Sequence, residues 1–568
     1  MMSDTDLTSR QEARDLAEAA HAAFLIYREF TQEQVDAVVA GMAAAGLRES
    51  ERLARLAVEE TGYGRVKDKQ AKNVLVSKNL HDYIRGIRTV GVLNESPSVI
   101  EIAEPVGVVA AIVPSTNPTS TVIYKCLIAV KARNAIVVSP HPSARRCCIE
   151  TARVLAEAAE AAGAPRGIIG CMQTPTLEGS QELMSHKRVA VILATGGPGI
   201  VKAAYSSGKP AFGVGPGNVP VYVDRSADVV KAARDVLAGK TFDYGTVCAS
   251  EQAVIVDAPV KEQVIEELVR NGGYFLSGGE IEKINSIILT PSGAINPDLV
   301  GRSPQVIARR AGFEVPETVE ALIAALPGVG REFPLSREKL SPILAFYVVN
   351  GWREGCEMCK SILQLGGMGH TLGIHATDRD VIMAFGLEKP AFRIIVNSPT
   401  THGAVGYTTD LPPAMTLGCG AMGNNITSDN IGPLHLLNVK RVAFETKPLA
   451  LTSMAGTISP GPARDSTHVV SSGPASGADI SKRVQSYLDT KGIFPGHAHP
   501  CPSSPPPPST TPAPRRASAE SQAPKPVDFV CEADVRKAVE SGEKIIIGPR
   551  TIVTPAARDL GNEKKIFA

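Results

Sequence analysis

The sequence predicts an α/β protein made of two doubly wound, Rossmann-like domains followed by a flexible C-terminal tail. Three observations carry this reading. From Gly107 the chain alternates short, near-continuous apolar runs ("GVVAAIVP", "NAIVVSP", "GIIGCMQ", "AVILATGG", "VPVYVD") with helical stretches such as "ARRCCIETARVLAEAAEAAG" and "GIVKAAYSSG". Strands that are apolar on both faces, with helices between them, imply a parallel sheet covered on both sides. The alternation then restarts after residue 248, with "EQAVIVDAP", "VKEQVIEELVRNGG", "ILAFYVV" and "FRIIVNSP". Beyond Lys447 it gives way to Ser/Gly/Pro-rich sequence, which cannot bury a core.

Composition sets outer limits. A chain of 568 residues has room for two or three domains. Its 43% hydrophobic and 21% charged residues are ordinary for a globular protein. The formal net charge of +1 gives no field that would draw in nucleic acid or a membrane surface. No apolar run reaches the ~18 residues of a membrane span, and the first residues lack an apolar signal-peptide core. The expectation is a cytoplasmic protein. The ten cysteines are scattered, and the one CxxC, "GCEMCK" at Cys356 and Cys359, reads as part of a helix rather than a metal site.

In chain order, "TQEQVDAVVAGMAAAGLRESERLARLAVEETG" predicts helix from a Thr31 cap, helped by Glu33, up to Gly62. "RTVGVLNESPSVIEIAEPVG" places turn residues between β-rich runs and predicts a hairpin. The α/β blocks follow. In the tail, residues 478–490 put Ile480, Val484, Tyr487 and Leu488 on one helical face. "CPSSPPPPSTTPAPRRASAESQAPKP" predicts a stiff, extended linker. After it, residues 528–568 offer a second amphipathic segment and a strand-like run.

Four places carry candidate chemistry. Cys248, in "KTFDYGTVCASEQ", reads in isolation more readily as a core cysteine than as a nucleophile. Asn117 ends an apolar strand before Pro118, where its carboxamide could donate to a developing oxyanion or simply make a turn. Gly196-Gly197 follow a strand and open a helix, whose N–H groups could face an anion. Glu338 precedes an apolar strand and could hold ribose hydroxyls or be solvated. No GxGxxG is present: the glycines of "GVGPGN" precede a strand.

Taken in order, "PSTNPTST", "RNAIVVSPHPSA", "ILATGGPGIVKAAYSSGKPA", "KTFDYGTVCASEQ", "GGMGHT", "RIIVNSPT" and "TLGCGAMGNN" resemble the CoA-acylating aldehyde dehydrogenases. The nearest likeness is to the aldehyde dehydrogenase half of bifunctional aldehyde-alcohol dehydrogenases, over roughly residues 25–446. The resemblance implies the aldehyde dehydrogenase fold and NAD and coenzyme A as cofactors. It matches Cys248 to the nucleophile, and Asn117 with the Cys248 N–H to the oxyanion donors. It matches Pro114, Ser115, Thr116, Ser139, Pro140, His141, Thr195, Gly196, Gly197, Gly213, Glu338 and Leu340 to the cofactor cleft, Glu338 lying near the nicotinamide ribose. No metal is implied. Hydrolytic relatives carry a glutamate in a Glu-Leu-Gly-Gly string, and the equivalent stretch here, "GVGPGN", has no acid. A thioester on Cys248 then survives until a thiol arrives.

The expected reaction is oxidation of a short aliphatic aldehyde, acetaldehyde or propionaldehyde, to acyl-CoA. The Cys248 pKa is expected to be lowered by its site. The expected divisions are 1–222 for the cofactor domain, with an oligomerisation hairpin near 88–104, and 223–425 for the catalytic domain. Residues 426–446 return to the first region, 447–527 form the linker, and 528–568 an interaction segment. A homodimer or homotetramer is implied. A core with such a tail also resembles enzymes packed into bacterial microcompartments, where the tail binds shell or cargo proteins. Hydrolytic aldehyde dehydrogenase, acyl-phosphate reductase and catalytically dead scaffold stay open as alternatives, as does NAD against NADP.

Overall fold

The computed structural model describes residues 4–447, 527–530 and 532–567. They fall into two units, divided between Thr452 and Ser453.

The first unit opens with helices. Thr31 caps Gln32–Arg48 through a capping box with Gln34, rather than Glu33. The predicted single helix is interrupted at Glu49, and Ser50–Thr61 then ends at Gly62 with φ +67°. Only glycine adopts that conformation without strain.

Strands β1 (Gly91–Glu95) and β2 (Val99–Pro105) pair as an antiparallel hairpin. The chain returns far later, as β15 (Leu437–Ala443), to pair with β2. This three-stranded sheet leaves Val439, Val442 and Phe444 exposed.

The first α/β block is a five-stranded parallel sheet in the order β5-β4-β3-β6-β7. Its strands are β3 (Val108–Val113), β4 (Ala135–Pro140), β5 (Ile169–Cys171), β6 (Val189–Thr195) and β7 (Ala211–Val214). β3 and β4 are buried along their whole length, as is the helix Pro118–Lys131 between them. Their unbroken apolar sequence has this cause: they are covered on both faces.

The second block is a seven-stranded sheet in the order β10-β11-β12-β9-β8-β13-β14. Its strands are β8 (Val219–Val223), β9 (Glu251–Asp257), β10 (Gly273–Phe275), β11 (Ala321–Ala325), β12 (Ile343–Val349), β13 (Gly369–His375) and β14 (Ala391–Val396). "VPVYVD", read above with the first block, is β8 and pairs with β9 and β13. A boundary at residue 222 therefore falls inside a central strand. The chain passes from β7 to β8 through four residues with no helix between, so alternation alone does not reveal the change of sheet. Cys356 and Cys359 lie buried on the helix Trp352–Leu365.

The second unit is a small βαβα fold. Strands β16 (Val527–Val530) and β17 (Ile547–Val553) are parallel, with helices Glu532–Ser541 and Pro555–Glu563. Val530, Val535 and Ala557 form its core. The helix expected to offer an apolar docking face thus spends Val535 on its own core. The segment 478–490 lies outside the described residues. No helix among the described residues is long and apolar enough to cross a membrane.

Candidate active site

Three left-handed residues lead into Cys248: Asp243 (φ +49°), Tyr244 (φ +52°) and Gly245 (φ +73°). The first two are unfavourable for side-chain-bearing residues, and such strain gathers at functional sites when its surroundings fix it. Here the anchor is Asp243, fully buried. Its carboxylate accepts from Lys69 Nζ (2.9 Å), Lys72 Nζ, Thr246 Oγ1 (2.6 Å) and the Arg65 N–H (2.8 Å). Burial alone would raise its pKa, but the two ammonium groups outweigh that and hold it low.

Asn117 is placed by the start of the helix Pro118–Lys131, with Pro118 in the first helical turn. Its Nδ2 donates to the Thr246 carbonyl (3.1 Å) and to Thr116 Oγ1 (3.2 Å), and its Oδ1 accepts from Lys72 Nζ (2.5 Å). The structure thus brings Asn117 to the turn that carries Cys248. The Cys248 N–H makes no hydrogen bond to a backbone carbonyl among the described residues.

Glu338 arrives from the other block. Its Oε1 accepts from the Gly217 N–H at 2.9 Å. A Cβ on Gly217 would sit 2.3 Å from the Cys248 carbonyl oxygen and 3.0 Å from the His370 ring. Gly217 is therefore the bare point around which Cys248, Glu338 and His370 close. Although "GVGPGN" holds no acid, the fold brings one to it.

The electrostatics follow from burial. Burial pushes the Glu338 carboxyl up to about 7, against the Gly217 N–H. Burial, then the Glu338 and Cys419 groups, push the Cys248 thiol up to about 12, with Arg393 pulling the other way. The expected lowering of this thiol is not met in the free site, because desolvation outweighs the one nearby cation. Burial, assisted by Arg393, drives His370 down to about 3. Its imidazole is neutral, with Nδ1 against Thr371 Oγ1 (2.9 Å) and Nε2 unpartnered.

The cofactor-side residues divide. Pro114, Ser115 and Thr116 form the half-buried loop after β3. Thr195, Gly196 and Gly197 end β6 and begin the helix Pro198–Tyr205. Thr195 Oγ1 is buried without a partner, and nothing lies within 4 Å of a Cβ placed on Gly197 or Gly199. An unsatisfied hydroxyl beside an open helix start fits an anionic group such as a dinucleotide phosphate. Ser139 does not line a cleft: it is buried, and its Oγ pairs with Ser180 Oγ at 2.8 Å. Pro140 is buried beside it, while His141 is exposed. Gly213 is buried under Tyr205, whose hydroxyl accepts from the Gly213 N–H (3.0 Å), so its bareness serves packing. Leu340 holds φ +48° and accepts from the Gly301 N–H (2.9 Å), two residues from Glu338.

Lys72 and the pairing partner Ser180 were not legible as site residues, while Asp243 and Arg393 lay inside "KTFDYGTVCASEQ" and "RIIVNSPT" without being singled out. His370 and Cys419 lay inside "GGMGHT" and "TLGCGAMGNN", which marked them only as motif members.

A model of the aldehyde dehydrogenase family matches residues 1–275. Succinate-semialdehyde dehydrogenase (acetylating) of Clostridium kluyveri is 37% identical over 450 residues, which are 79% of this chain and 99% of that protein. The chain belongs to the aldehyde dehydrogenase family. Bifunctional aldehyde-alcohol dehydrogenase of Escherichia coli is 44% identical over 445 residues, 77% of this chain but 50% of that protein. The chain spans about half the length of such bifunctional relatives. Among solved structures, an acetylating aldehyde dehydrogenase from Geobacillus thermoglucosidasius shares 55% identity at TM-score 0.78, covering 79% of this chain and 99% of that one. A propionaldehyde dehydrogenase from the Clostridium phytofermentans fucose utilisation bacterial microcompartment shares 28% at TM-score 0.69, covering 77% and 98%. A Rhodopseudomonas palustris propionaldehyde dehydrogenase, solved with bound CoA and an acylated cysteine, shares 27% at TM-score 0.69, covering 76% and 97%.

Proposed function

We propose that this aldehyde dehydrogenase is CoA-acylating and converts a short, uncharged aliphatic aldehyde to its acyl-CoA with NAD(P), through a thioester on Cys248. The observation that carries the reading is that Asn117 meets the turn leading into Cys248 while Glu338 and His370 meet Cys248 at Gly217.

Cys248 Sγ attacks the aldehyde carbon, and its proton passes to Glu338, the carboxyl held near neutrality. Asn117 Nδ2 and the Cys248 N–H hold the oxyanion. One such donor typically lowers a barrier by about 2.7–4 kcal/mol. Thr195, Gly196 and Gly197 would hold the phosphates of a nicotinamide dinucleotide, which would accept the hydride from the former aldehyde carbon as the oxyanion re-forms the carbonyl. The chain then holds a Cys248 thioester. His370 Nε2, neutral and unpartnered, is suited to accept a hydrogen bond from the thiol of coenzyme A, and Glu338, with its carboxyl near neutrality, to take the thiol proton as that sulfur displaces Cys248. Thioester is exchanged for thioester, so this half is reversible and the kinetics are ping-pong.

The aldehyde class is read from a cavity of about 90 Å³ walled by Leu75, Phe242, Val247, Val405, Met415 and Lys72. Val247 precedes Cys248, and Lys72 holds Asn117. The wall is apolar apart from Lys72, His402, Thr401 and the phenol of Tyr407. The Lys72 ammonium is spent on Asp243 and Asn117. The His402 imidazole, depressed by burial, is neutral. Neither offers a free cation to a carboxylate or sulfonate, so an anionic aldehyde would be desolvated without compensation.

One observation favours a second reading, hydrolysis of the acyl-enzyme: Glu338 stands at Gly217 with a carboxyl poised near neutrality. Formation of NADH from propionaldehyde, with and without CoA, for the wild type and Cys248→Ala separates the two. Turnover that needs both CoA and Cys248 supports the proposal. Full turnover without CoA makes the enzyme hydrolytic, and activity in Cys248→Ala removes the nucleophile.

The exposed Val439, Val442 and Phe444 of the β1-β2-β15 sheet support an oligomer, dimer or tetramer, joined there. The microcompartment origin of one similar structure, together with the Pro-rich sequence before residue 527, supports a place as microcompartment cargo. Sedimentation and shell co-purification of the full chain test these two points.

A further inference from the structure

β14 carries a charge that the reaction above leaves without a task. Arg393 stands opposite Thr371 in the β13–β14 register, one position along from His370. It is 3% exposed, and charged side chains are buried to that depth only when something pairs them. Its Nη1 donates to the Ser428 carbonyl (2.9 Å) and, more weakly, to Asn430 Oδ1 (3.5 Å), and its Nη2 to the Gly418 carbonyl (2.6 Å). All three acceptors are neutral. They orient the guanidinium and do not balance its charge.

Arg393 forms no ion pair with a carboxylate among the described residues. Asp429, in the same loop as Ser428 and Asn430, is exposed and meets Thr427 Oγ1 (3.1 Å) and His435 Nε2 (3.2 Å) instead. The remaining donor of Arg393, Nε, is buried with no partner. Burial does not discharge the group, because a guanidinium stays protonated at any ordinary pH. A buried cation without an anion is costly. Its retention is accounted for when a negative charge arises beside it during the reaction.

A sulfur is the group placed to carry that charge. Gly418, whose carbonyl Arg393 holds, is followed by Cys419. The Cys419 carbonyl leaves no room for a side chain at Gly369, and the next residue, His370, meets Cys248 at Gly217. These close approaches run from β14 to the catalytic turn. Four groups of the site surround the Cys248 sulfur: Glu338 from the loop before β12, His370 from β13, Arg393 from β14 and Cys419 from the loop after it. Glu338 and Cys419 oppose negative charge on that sulfur, His370 is neutral, and Arg393 favours it.

We infer that Arg393 is a positioning residue for the reaction, the counter-charge that holds Cys248 as a thiolate when the aldehyde arrives. As the thiol proton passes to Glu338, the carboxylate becomes neutral and the sulfur becomes negative. The negative charge thereby moves to the side of the guanidinium that had no anion. The inference rests on the reading of Cys248 as nucleophile.

The test alkylates the full chain with iodoacetamide, without aldehyde, CoA or nucleotide, and follows the Cys248 peptide by mass spectrometry. A rise of one unit in a thiol pKa cuts its thiolate about tenfold, and the stronger nucleophilicity of the remaining thiolate returns part of this. Arg393→Gln keeps a donor for the Gly418 carbonyl and loses the charge. It should be alkylated at least about threefold more slowly than the wild type throughout pH ~6–9. Loss of a structural contact alone would loosen the loop, expose the sulfur and speed the reaction. A rate equal to or above the wild type therefore overturns the inference. Arg393→Lys keeps the charge and should stay within about threefold of the wild type. A folded Lys variant slowed beyond that overturns the inference even where the Gln variant fails to fold. In a Cys419→Ser background, Arg393→Gln should slow Cys248 just as much. If the slowing disappears there, the charge serves Cys419 and the inference fails. Failure of the acylating reading shows elsewhere, as NADH formation by Cys248→Ala.

Discussion

Lys72 Nζ donates to Asn117 Oδ1 at 2.5 Å while ion-paired with the buried carboxylate of Asp243. A carboxamide has a donor end and an acceptor end of nearly equal shape. A cation on the oxygen makes the flipped orientation unfavourable, leaving Nδ2 on the side of Thr246 and Cys248. Lys72 is thus a positioning residue, and Asp243 fixes Lys72 to the strained turn that carries the cysteine.

Replacing Lys72 with Met should lower kcat by about 10–100-fold with KM nearly unchanged, less than the outright loss of an oxyanion donor. Lys69 still pairs with Asp243 at 2.9 Å, so the carboxylate is not left unpaired and the fold should persist. Lys72→Arg should recover part of the rate. Equal kcat in Lys72→Met and wild type would remove the positioning role.

The Cys248 thiol, pushed up to about 12 by burial and Glu338, should be a slow nucleophile in the free enzyme. Its thiolate fraction grows about tenfold per pH unit below the pKa. Inactivation by iodoacetamide should therefore rise with that slope from pH ~6 to ~9 without a plateau. Above pH ~7 the Glu338 carboxyl carries its charge, and removing that charge lowers the thiol pKa, so Glu338→Gln should be alkylated faster there and little differently from the wild type at pH ~6. A plateau near pH 8 in the wild type would contradict the electrostatics described.

Gly217 has no room for a side chain, with the Cys248 carbonyl 2.3 Å from the place of its Cβ. Gly217→Ala should cost about 1–3 kcal/mol of stability in denaturant titration. Activity should fall by far more than stability, because the displaced atoms are Cys248 and His370. Wild-type kcat in this variant would show that the turn can shift harmlessly.

Ser139 was expected in the cofactor cleft and instead pairs with Ser180. Ser139→Ala should leave KM for NAD unchanged and lose about 0.5–1.5 kcal/mol of stability. A rise in KM without loss of stability would return Ser139 to the cleft.

Val405 and Met415 wall the cavity proposed to take the aldehyde. Val405→Ala should move the kcat/KM ratio of pentanal to propionaldehyde upward by about tenfold or more, the usual worth of one or two methylenes in an apolar pocket. An unchanged ratio would place the aldehyde elsewhere.

The sequence by itself determined the parallel α/β architecture, because strands covered on both faces must be apolar throughout and helices between them must repeat with their own period. It determined Cys248, Asn117 and Glu338 as candidates, since each lies beside a strand in a string distinctive enough to recognise. The change of sheet at β8 was hidden, because no helix separates it from β7. β13 was hidden too, because its buried positions include His370, Thr371 and His375 rather than an apolar run. Only the tertiary structure decided what the candidates meet. Lys72 is 45 residues from Asn117 and Asp243 is 171 from Lys72, and no local pattern encodes such pairings. The same holds for charge. Burial sets the thiol of Cys248 and the carboxyl of Glu338, and burial is a property of everything packed around a group rather than of its neighbours in sequence.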